Sequence, residues 1–221
     1  MKRTVPAILF VAAIILSTRV PFVHSQATDS QIALLDRAGK AVTSIVDGNQ
    51  VQLQVKISLA VDRDTKILFL SPDIPKPIAE CLIPSGKDSC ETPRFASLGW
   101  YWDPDGNATP QRPISASLDG SQPLGSLSVS VRPRPVIMVH GFNADYKTWT
   151  AYLGPEGFLA SLGLKGFAVG DGQVPGDMQT GSLSEPFKRT NTIAQNAAIL
   201  GEYIDHVQQA TGAEKVDLLV H

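Results

Sequence analysis

The stretch VIMVHGFNADYKTW, from Val136 to Trp149, decides the fold of the second half of this 221-residue chain. Its first four residues are all apolar and lack the alternation of a strand that has one face in water. A short, unbroken apolar run of this kind is typical of a strand covered on both faces, as in a parallel sheet. The run ends at His140-Gly141, where the glycine allows a sharp turn. The stretch therefore predicts a buried parallel strand that opens into a tight turn.

The sequence after Trp149 continues as alternating strands and helices. Gly166–Gly170 and Val216–Val220 are short candidate strands. Between them a long helix is predicted, because apolar residues recur every three or four positions at Ile193, Ala197, Leu200, Ile204 and Val207. Thr192 and Gln195 form a capping-box pattern at its start, and Gly212 follows its end. Strands that alternate with helices predict an α/β domain with right-handed crossovers.

The strand-to-turn segment resembles the oxyanion loop of the α/β-hydrolase family, particularly its lipase and esterase branch. In acyl transfer a tetrahedral intermediate carries negative charge on an oxygen, and a fixed backbone N–H must point at that oxygen. By this resemblance the backbone N–H of Phe142 is the donor, and Asn143 is a second donor of the same loop. His140 and Gly141 support the loop, and His140 is not the catalytic base. The alternative is an ordinary strand-to-turn junction without a chemical role.

The final residues, VDLLVH from Val216 to His221, resemble the segment that leads into the nucleophile elbow of the same family. In that family a strand runs straight into G-x-S-x-G, and a histidine commonly precedes the serine. His221 occupies the position of that histidine, so the resemblance implies that the nucleophilic serine is residue 222. Val220 stands where the first glycine of the elbow is expected, which departs from the family pattern.

The resemblance covers about residues 135–221, and the serine, acid and catalytic histidine of the family all lie further along the chain. We therefore expect the N-terminal fragment of a secreted serine hydrolase that acts on carboxylic esters, with lipid esters favoured, and we expect the isolated chain to be inactive. The apolar edge that Val216–Val220 would expose favours this interpretation, since such edges promote aggregation. The alternative is an exported binding or adhesion module with a vestigial, non-catalytic α/β part.

No other residues of the sequence complete a catalytic triad. Ser97 and Ser161 are each followed by x-Gly, but the bulky Phe95 and Leu159 replace the small residue that begins an elbow. Motifs for zinc ligands, paired histidines or a phosphate-binding loop do not occur in the sequence, so no metal and no cofactor is expected.

The segment from 170 to 191 is long and rich in Gly, Pro and Ser. It is interpreted either as a wall or partial lid over an acyl pocket or as a plain surface loop.

Residues 26–132 are predicted to be all β. VQLQVKISL, from Val51 to Leu59, strictly alternates apolar and polar residues, which is the pattern of a half-buried strand. Six or seven short strands between turn sequences in about 100 residues predict an antiparallel sandwich. On overall pattern this part resembles the immunoglobulin-like modules that precede secreted bacterial enzymes. The fold class expected is mixed: an all-β immunoglobulin-like sandwich, a Pro-rich linker at 133–135, and a truncated α/β-hydrolase domain at 136–221.

Two further features of the sandwich are predicted. Cys81 and Cys90, the only cysteines of the sequence, are expected to form a disulfide in an oxidising compartment. In an immunoglobulin-like arrangement this disulfide would close one hairpin and would not join two sheets. The aromatic cluster at Trp100 and Trp102 lies in a short strand predicted over Leu98–Trp102. Core packing is the favoured role of the cluster, and an exposed surface for carbohydrate or other contacts is the alternative.

Residues 1–25 have the pattern of a secretory signal peptide, with Lys2 and Arg3, an apolar run from Val5 to Leu16, and small residues before a cut after Ser25. The run is short for a membrane-spanning helix of about 20 residues, although an uncleaved anchor is the alternative. We therefore expect a secreted or periplasmic protein.

The charge of the exported chain limits its partners. Removal of the leader takes three of the 19 basic residues and leaves 16, against 21 acidic residues. A net negative charge without basic clusters argues against nucleic acid or an anionic membrane as a partner. An ester or lipid substrate is the expected partner, and the sequence gives no indication of the oligomeric state.

Overall fold

The computed structural model describes residues 30–221, and the predicted leader lies outside this range. The described chain is rich in sheet, with two α-helices and one 3-10 helix, so the predicted mixed class is confirmed at this level. The strands are β1 (Gln31–Leu35), β2 (Ala41–Val42), β3 (Ser44–Val46), β4 (Gln50–Lys56), β5 (Thr65–Ser71), β6 (Ile74–Ile83), β7 (Ser89–Glu91), β8 (Phe95–Ala96), β9 (Gln111–Leu118), β10 (Gln122–Arg132), β11 (Val136–Val139), β12 (Gly166–Ala168) and β13 (Asp217–Val220). The helices are a 3-10 helix (Tyr146–Tyr152), α1 (Phe158–Ser161) and α2 (Ile193–Thr211).

Strands β1 to β10 form two five-stranded sheets that pack as a sandwich. The first sheet has the order β2-β1-β4-β7, with β8 paired to β4, and the second has the order β3-β10-β9-β5-β6. Neighbouring strands are antiparallel except for β3 and β10, which are parallel. Val51, Leu53 and Val55 of the first sheet share one buried apolar cluster with Ile67 and Phe69 of the second. This shared core holds the two sheets face to face.

The alternating stretch that begins at Val51 forms a strand largely as predicted. Strand β4 ends at Lys56, however, and Leu59, the last apolar residue of the predicted strand, is 73% exposed. The predicted strand at Leu98–Trp102 is wrong, because this segment is a turn followed by a single β-bridge. The turn allows the adjacent Trp100 and Tyr101 both to enter the sandwich core. Their burial agrees with the packing interpretation of the aromatic cluster.

The Cys81–Cys90 disulfide is present, but it joins two sheets and does not close a hairpin within one sheet. Strand β6 pairs with β5 in the second sheet, whereas β7 pairs with β4 in the first. The expectation was wrong because residues 84–88 cross from one sheet to the other. The disulfide therefore ties the two sheets together at one edge of the sandwich.

A fully buried arginine, Arg112, organises the turn that carries the aromatic residues. Its Nε donates to the carbonyl oxygen of Trp100 at 2.6 Å, and one terminal nitrogen donates to the carbonyl oxygen of Trp102 at 3.2 Å. The other terminal nitrogen contacts both carboxylate oxygens of Asp73, at 2.5 and 2.6 Å. Desolvation acts to raise the pKa of Asp73, but hydrogen bonds from Arg112 and Ser71 outweigh it, so this pKa lies below its ordinary value of 3.8.

The remaining strands form a parallel sheet in the order β12-β11-β13, with helices on both faces. Ile137 of β11 packs with Tyr203 and Val207 of α2 on one face, and Met138 packs with Trp149 on the other. This two-sided cover explains the unbroken apolar run of β11. The capping box of α2 and the left-handed Gly212 after it are both as predicted. Within residues 30–221, none of the helices has the length and apolar character that crossing a membrane requires.

The sandwich contacts the end of α2 through its β3–β4 turn. The side chain of Asn49 donates to the carbonyl oxygen of Gly212 at 3.0 Å and accepts from the backbone N–H of Glu214 at 2.8 Å. In return, the Glu214 carboxylate accepts from the backbone N–H of Gln50 at 3.2 Å. These reciprocal bonds fix the sandwich to the segment that leads from α2 into β13.

An ion pair in the short connection between the sandwich and β11 strengthens the same contact. Arg134 lies 3.8 Å from the Asp47 carboxylate of the sandwich and 3.2 Å from the Asp217 carboxylate at the start of β13. Asp47 is buried and also accepts from the backbone N–H of Trp100 at 3.0 Å. Burial raises the pKa of Asp47 above its ordinary 3.8, against the opposing effects of these partners.

Candidate functional site

The carboxyl ends of β11 and β13 meet at one edge of the parallel sheet. Strand β11 lies between β12 and β13, and all three run in the same direction. At this edge β11 leads into the four residues His140, Gly141, Phe142 and Asn143, which we call the HGFN turn. In parallel sheets, ligands bind in the crevice beyond the carboxyl ends of the strands. The HGFN turn is therefore at the edge where a site is expected.

The HGFN turn lies directly against the end of β13. A Cβ atom added to Gly141 would lie 2.6 Å from the carbonyl oxygen of His221, closer than real Cβ atoms approach a backbone oxygen. The backbone N–H of His221 donates to the carbonyl oxygen of Val139 at 3.0 Å, which continues the pairing of β11 with β13. The two segments that the sequence analysis selected, the HGFN turn and the lead-in Val220-His221, are thus adjacent in space.

The two predicted oxyanion donors differ in their hydrogen bonds. Among residues 30–221, no acceptor pairs with the backbone N–H of Phe142, whose side chain is 63% exposed. The backbone N–H of Asn143 instead donates to the carbonyl oxygen of Gly181 at 2.9 Å. Asn143 has a left-handed backbone with φ of 61°, which turns the chain at this point. Phe142 therefore presents a free donor in this structure, whereas the amide of Asn143 is engaged by the protein.

Residues 180–183 of the long loop before α2, which we call the clamp segment, hold the HGFN turn from outside. The hydroxyl of Thr180 donates to the carbonyl oxygen of Gly141 at 2.8 Å. The side-chain oxygen of Asn143 accepts from the backbone N–H of Leu183 at 3.0 Å and from the hydroxyl of Ser182 at 3.2 Å. With the Asn143–Gly181 bond, these contacts fix both the backbone and the side chain of the turn.

Both histidines of the candidate site have aromatic or backbone neighbours that orient them. His140 is buried, and its Nδ1 lies 3.4 Å from the carbonyl oxygen of Gly141 and 3.4 Å from the Thr180 hydroxyl. The ring of His221 packs edge-to-face against Trp149, with 6.2 Å between ring centroids. His140 thus lies buried at the start of the turn, and its supporting role stays a prediction.

An open cavity of about 620 Å³ lies between the 3-10 helix and the long loop, and Asn143 is the residue of the HGFN turn that lines it. Its lining is mostly polar and carries both signs of charge, for example at Asp145, Asp177, Lys188 and Arg189. The long loop therefore lines a cavity, while its interpretation as a wall over an acyl pocket stays a prediction. The lining differs, however, from the apolar surface that an acyl pocket needs.

The other serines considered from the sequence lie in different surroundings. The Ser97 hydroxyl donates to the carbonyl oxygen of Asn49 in the sandwich, at 3.1 Å. The Ser161 hydroxyl donates to the carbonyl oxygen of Phe158 in α1, at 2.6 Å. Neither hydroxyl contacts the HGFN turn. In the part of the chain that the structure describes, no group of three or more His, Cys, Asp or Glu side chains is arranged to hold a metal ion.

No pattern in the sequence predicts the contacts of the clamp segment. Thr180 and Ser182 lie in a region without hydrophobic periodicity, and their partners are about 40 positions earlier in the chain. The only available signal was the length of the loop, which indicates a functional or disordered segment but not its contacts.

Comparison of the chain with protein-family models finds no match, and comparison with curated protein sequences finds none either.

Proposed function

We propose that residues 136–221 are the oxyanion-binding part of a carboxylic-ester hydrolase of the α/β-hydrolase family. In this proposal the Phe142 N–H stabilises the oxyanion, and a serine that follows His221 in the full protein is the nucleophile. The observation that carries the proposal is the free Phe142 N–H in a turn that lies against the carboxyl end of β13.

The order of the parallel sheet supports this proposal. Ester hydrolysis requires a nucleophile and an oxyanion donor on either side of the same carbonyl group, each about 3 Å from the reacting atoms. Because Gly141 closely approaches the His221 carbonyl, a residue bonded to that carbonyl would lie next to the HGFN turn. A donor on β11 and a nucleophile after β13 would therefore share one small space at the edge of the sheet.

The role of each group follows from the negative charge that develops on the carbonyl oxygen during the reaction. The serine oxygen attacks the carbonyl carbon, a histidine base takes the hydroxyl proton, and the π electrons of the C=O bond move to its oxygen. The Phe142 N–H then donates to this negative oxygen. Collapse of the intermediate breaks the bond to the leaving oxygen, which takes the proton from the histidine and departs as the alcohol. Water then attacks the acyl-serine, the histidine takes a proton from the water and returns it to the serine oxygen, and the carboxylic acid is released. Loss of one such donor typically lowers kcat by about 10²–10³, or about 2.7–4 kcal/mol of barrier. The base and the acid that orients it would come from residues after His221.

Two exposed apolar side chains at the turn suit an uncharged substrate, although charged side chains line the cavity beside it. Phe142 in the turn and Leu183 in the clamp segment are both largely exposed, so they offer apolar contact to an acyl or alcohol group. The disulfide supports a further part of the proposal, export through residues 1–25, because structural disulfides are typical of oxidising compartments. We also propose that the sandwich is an immunoglobulin-like module of this secreted enzyme.

The test uses two proteins, residues 26–221 and the same chain extended by the residues that its reading frame encodes after His221. We expect hydrolysis of p-nitrophenyl esters and labelling by a fluorophosphonate at the residue after His221 in the extended protein, and neither in the shorter one. An alanine at that residue should abolish both signals. If the extended protein is folded but neither hydrolyses the ester nor reacts with the probe, the proposed function is wrong. Activity of the shorter protein would overturn the placement of the nucleophile.

A further inference from the structure

We propose that Thr180 is a positioning residue, whose hydroxyl fixes the peptide between Gly141 and Phe142 so that the Phe142 N–H faces the oxyanion. This inference rests on the proposed function and names the group that prepares its donor. Thr180 lies 39 residues beyond Gly141 in the chain, and its hydroxyl donates to the Gly141 carbonyl oxygen at 2.8 Å.

The planarity of the peptide bond couples this contact to the donor. The carbonyl group of Gly141 and the N–H of Phe142 belong to one planar, trans peptide unit, in which the two groups point in opposite directions. A hydrogen bond that holds the carbonyl oxygen on the side of the clamp segment therefore directs the N–H to the other side. Thr180 sets the direction of the Phe142 N–H although it does not contact that group.

The Gly141–Phe142 peptide particularly needs such a contact. Gly141 has no side chain, so its backbone rotates more freely than that of any other residue type. The approach of the His221 carbonyl oxygen fills the position of a Cβ atom and excludes a residue that would restrict this rotation. A rotation of the peptide plane would turn the Phe142 N–H away from the site with little displacement of neighbouring atoms. The Thr180 hydroxyl opposes this rotation directly.

The other bonds of the clamp segment do not replace that of Thr180. The Asn143–Gly181 bond and the bonds from Leu183 and Ser182 all fix Asn143, one residue after the donor. Within the described range, the only other hydrogen-bonding contact of the Gly141 carbonyl oxygen is the His140 ring nitrogen, at 3.4 Å. At that distance it is a much weaker partner than a hydroxyl at 2.8 Å.

The expected effect falls on the transition state. The oxyanion exists only after attack, so a donor that is less well aimed lowers kcat and leaves substrate binding nearly unchanged. T180V removes the hydroxyl and keeps the branched shape, and we expect kcat to fall by about 10-fold or more, up to the 10²–10³ of a lost donor. T180S keeps the hydroxyl, so kcat should stay close to that of wild type and far from the 10²–10³ loss of a missing donor.

Thr190 offers a matched control in the same loop. Its methyl group lies 3.0 Å from the position of a Cβ on Gly181, so it packs against the clamp segment. Its hydroxyl makes no hydrogen bond to the HGFN turn. T190V makes the same chemical change as T180V, and we expect it to leave kcat and KM unchanged. A general loosening of the loop would affect both variants, whereas a positioning role affects T180V alone.

Two measurements keep this inference separate from the proposed function. The first is kcat and KM for p-nitrophenyl esters in the extended protein, and the second is the NMR shift of the Gly141 carbonyl carbon and the Phe142 amide in residues 26–221. We expect T180V to change both shifts, and T180S and T190V to retain wild-type values. If the wild type hydrolyses esters and T180V matches its kcat, the positioning role is overturned and the proposed function stands. If the wild type is inactive, the proposed function fails, and unchanged shifts in T180V would then overturn the orientation argument as well.

Discussion

Replacement of Arg112 by methionine measures how far the sandwich depends on one buried cation. The side chain is fully buried, at 0% exposed, and it joins β9 to the aromatic turn and to Asp73. Methionine is also an unbranched side chain and occupies much of the same space without a charge or a donor. The R112M variant therefore removes the hydrogen bonds and the charge while it retains most of the packing.

The decrease in the free energy of unfolding of R112M can be calculated from the groups that lose their hydrogen-bond donor. A buried carbonyl left without a donor costs about 1–3 kcal/mol, and R112M leaves two, those of Trp100 and Trp102. The side chain of Asp73 is 26% exposed, so water can solvate part of its charge and its contribution lies at the low end. We expect a total of about 3–5 kcal/mol, the range found when one partner of a buried ion pair is removed. Since domains are stable by about 5–15 kcal/mol, this loss is a large share of the total free energy of unfolding, and it would unfold a domain at the low end of that range.

Urea unfolding, followed by tryptophan fluorescence and circular dichroism at about pH 7, gives the free energy of unfolding of each variant. The double variant R112M/D73L removes both charges, and it should lose less stability than R112M because no carboxylate remains unpaired. D73N is a milder change that remains measurable if R112M does not fold. A free energy of unfolding for R112M within about 1 kcal/mol of wild type would refute the reasoning, since that loss is smaller than the cost of two unpaired carbonyl groups.

The pH dependence adds a second check with a definite sign. The folded pKa of Asp73 lies below 3.8, so its contribution to stability is complete above that pH and is lost as the pH falls through the folded value. The D73N variant lacks this carboxylate. The stability gap between wild type and D73N should therefore shrink as the pH falls below about 3.8. A gap that is constant or grows with acid would contradict the ion-pair assignment.

Three further changes test other parts of the fold. N49A removes two hydrogen bonds to the end of α2 and should cost about 1–2 kcal/mol in urea unfolding, while N107A, whose side chain bonds only within the sandwich, should leave the α/β part unaffected. D47N removes a carboxylate whose folded pKa is raised, so its stability relative to wild type should increase as the pH rises from below 3.8 to about 7; a flat difference would contradict the burial effect. Replacement of Cys81 and Cys90 by alanine should cost about 2.6 kcal/mol for a loop of this length, and an unchanged melting temperature would argue against it.

Elements with a strong local pattern could be predicted from the sequence. The period of two in VQLQVK produces β4, and the unbroken run VIMV produces the covered strand β11, because each pattern reports which faces of one strand are buried. The limits of α2 follow from its own side chains, with the Thr192 cap at one end and the left-handed Gly212 at the other. Each of these features is determined by residues that are close to one another in the sequence, so it can be predicted from the sequence alone.

Features that depend on distant residues could not be predicted in the same way. Arginine is usually a surface residue, and the burial of Arg112 depends on the carboxylate of Asp73, 39 positions earlier, and on two carbonyl groups about 10 positions earlier. The crossing of residues 84–88 between sheets depends on which strands pair, and that choice is not local. In the candidate site the sequence indicates the HGFN turn, but the engagement of the Asn143 amide by Gly181 appears only when the long loop is folded.

The hydrogen bonds between Asn49 and the end of α2 constrain how this protein can be recombined. A chimera joined at residues 133–135 would exchange the sandwich for another and leave the Gly212 carbonyl and the Glu214 amide facing a foreign surface. Because those groups immediately precede β13, a mismatch there would be transmitted to the strand that ends beside the HGFN turn. An exchange of the sandwich would therefore have to preserve the residues of the β3–β4 turn that contact the α/β part. In related proteins with both parts, a substitution at Asn49 should be accompanied by a substitution at the segment that follows α2.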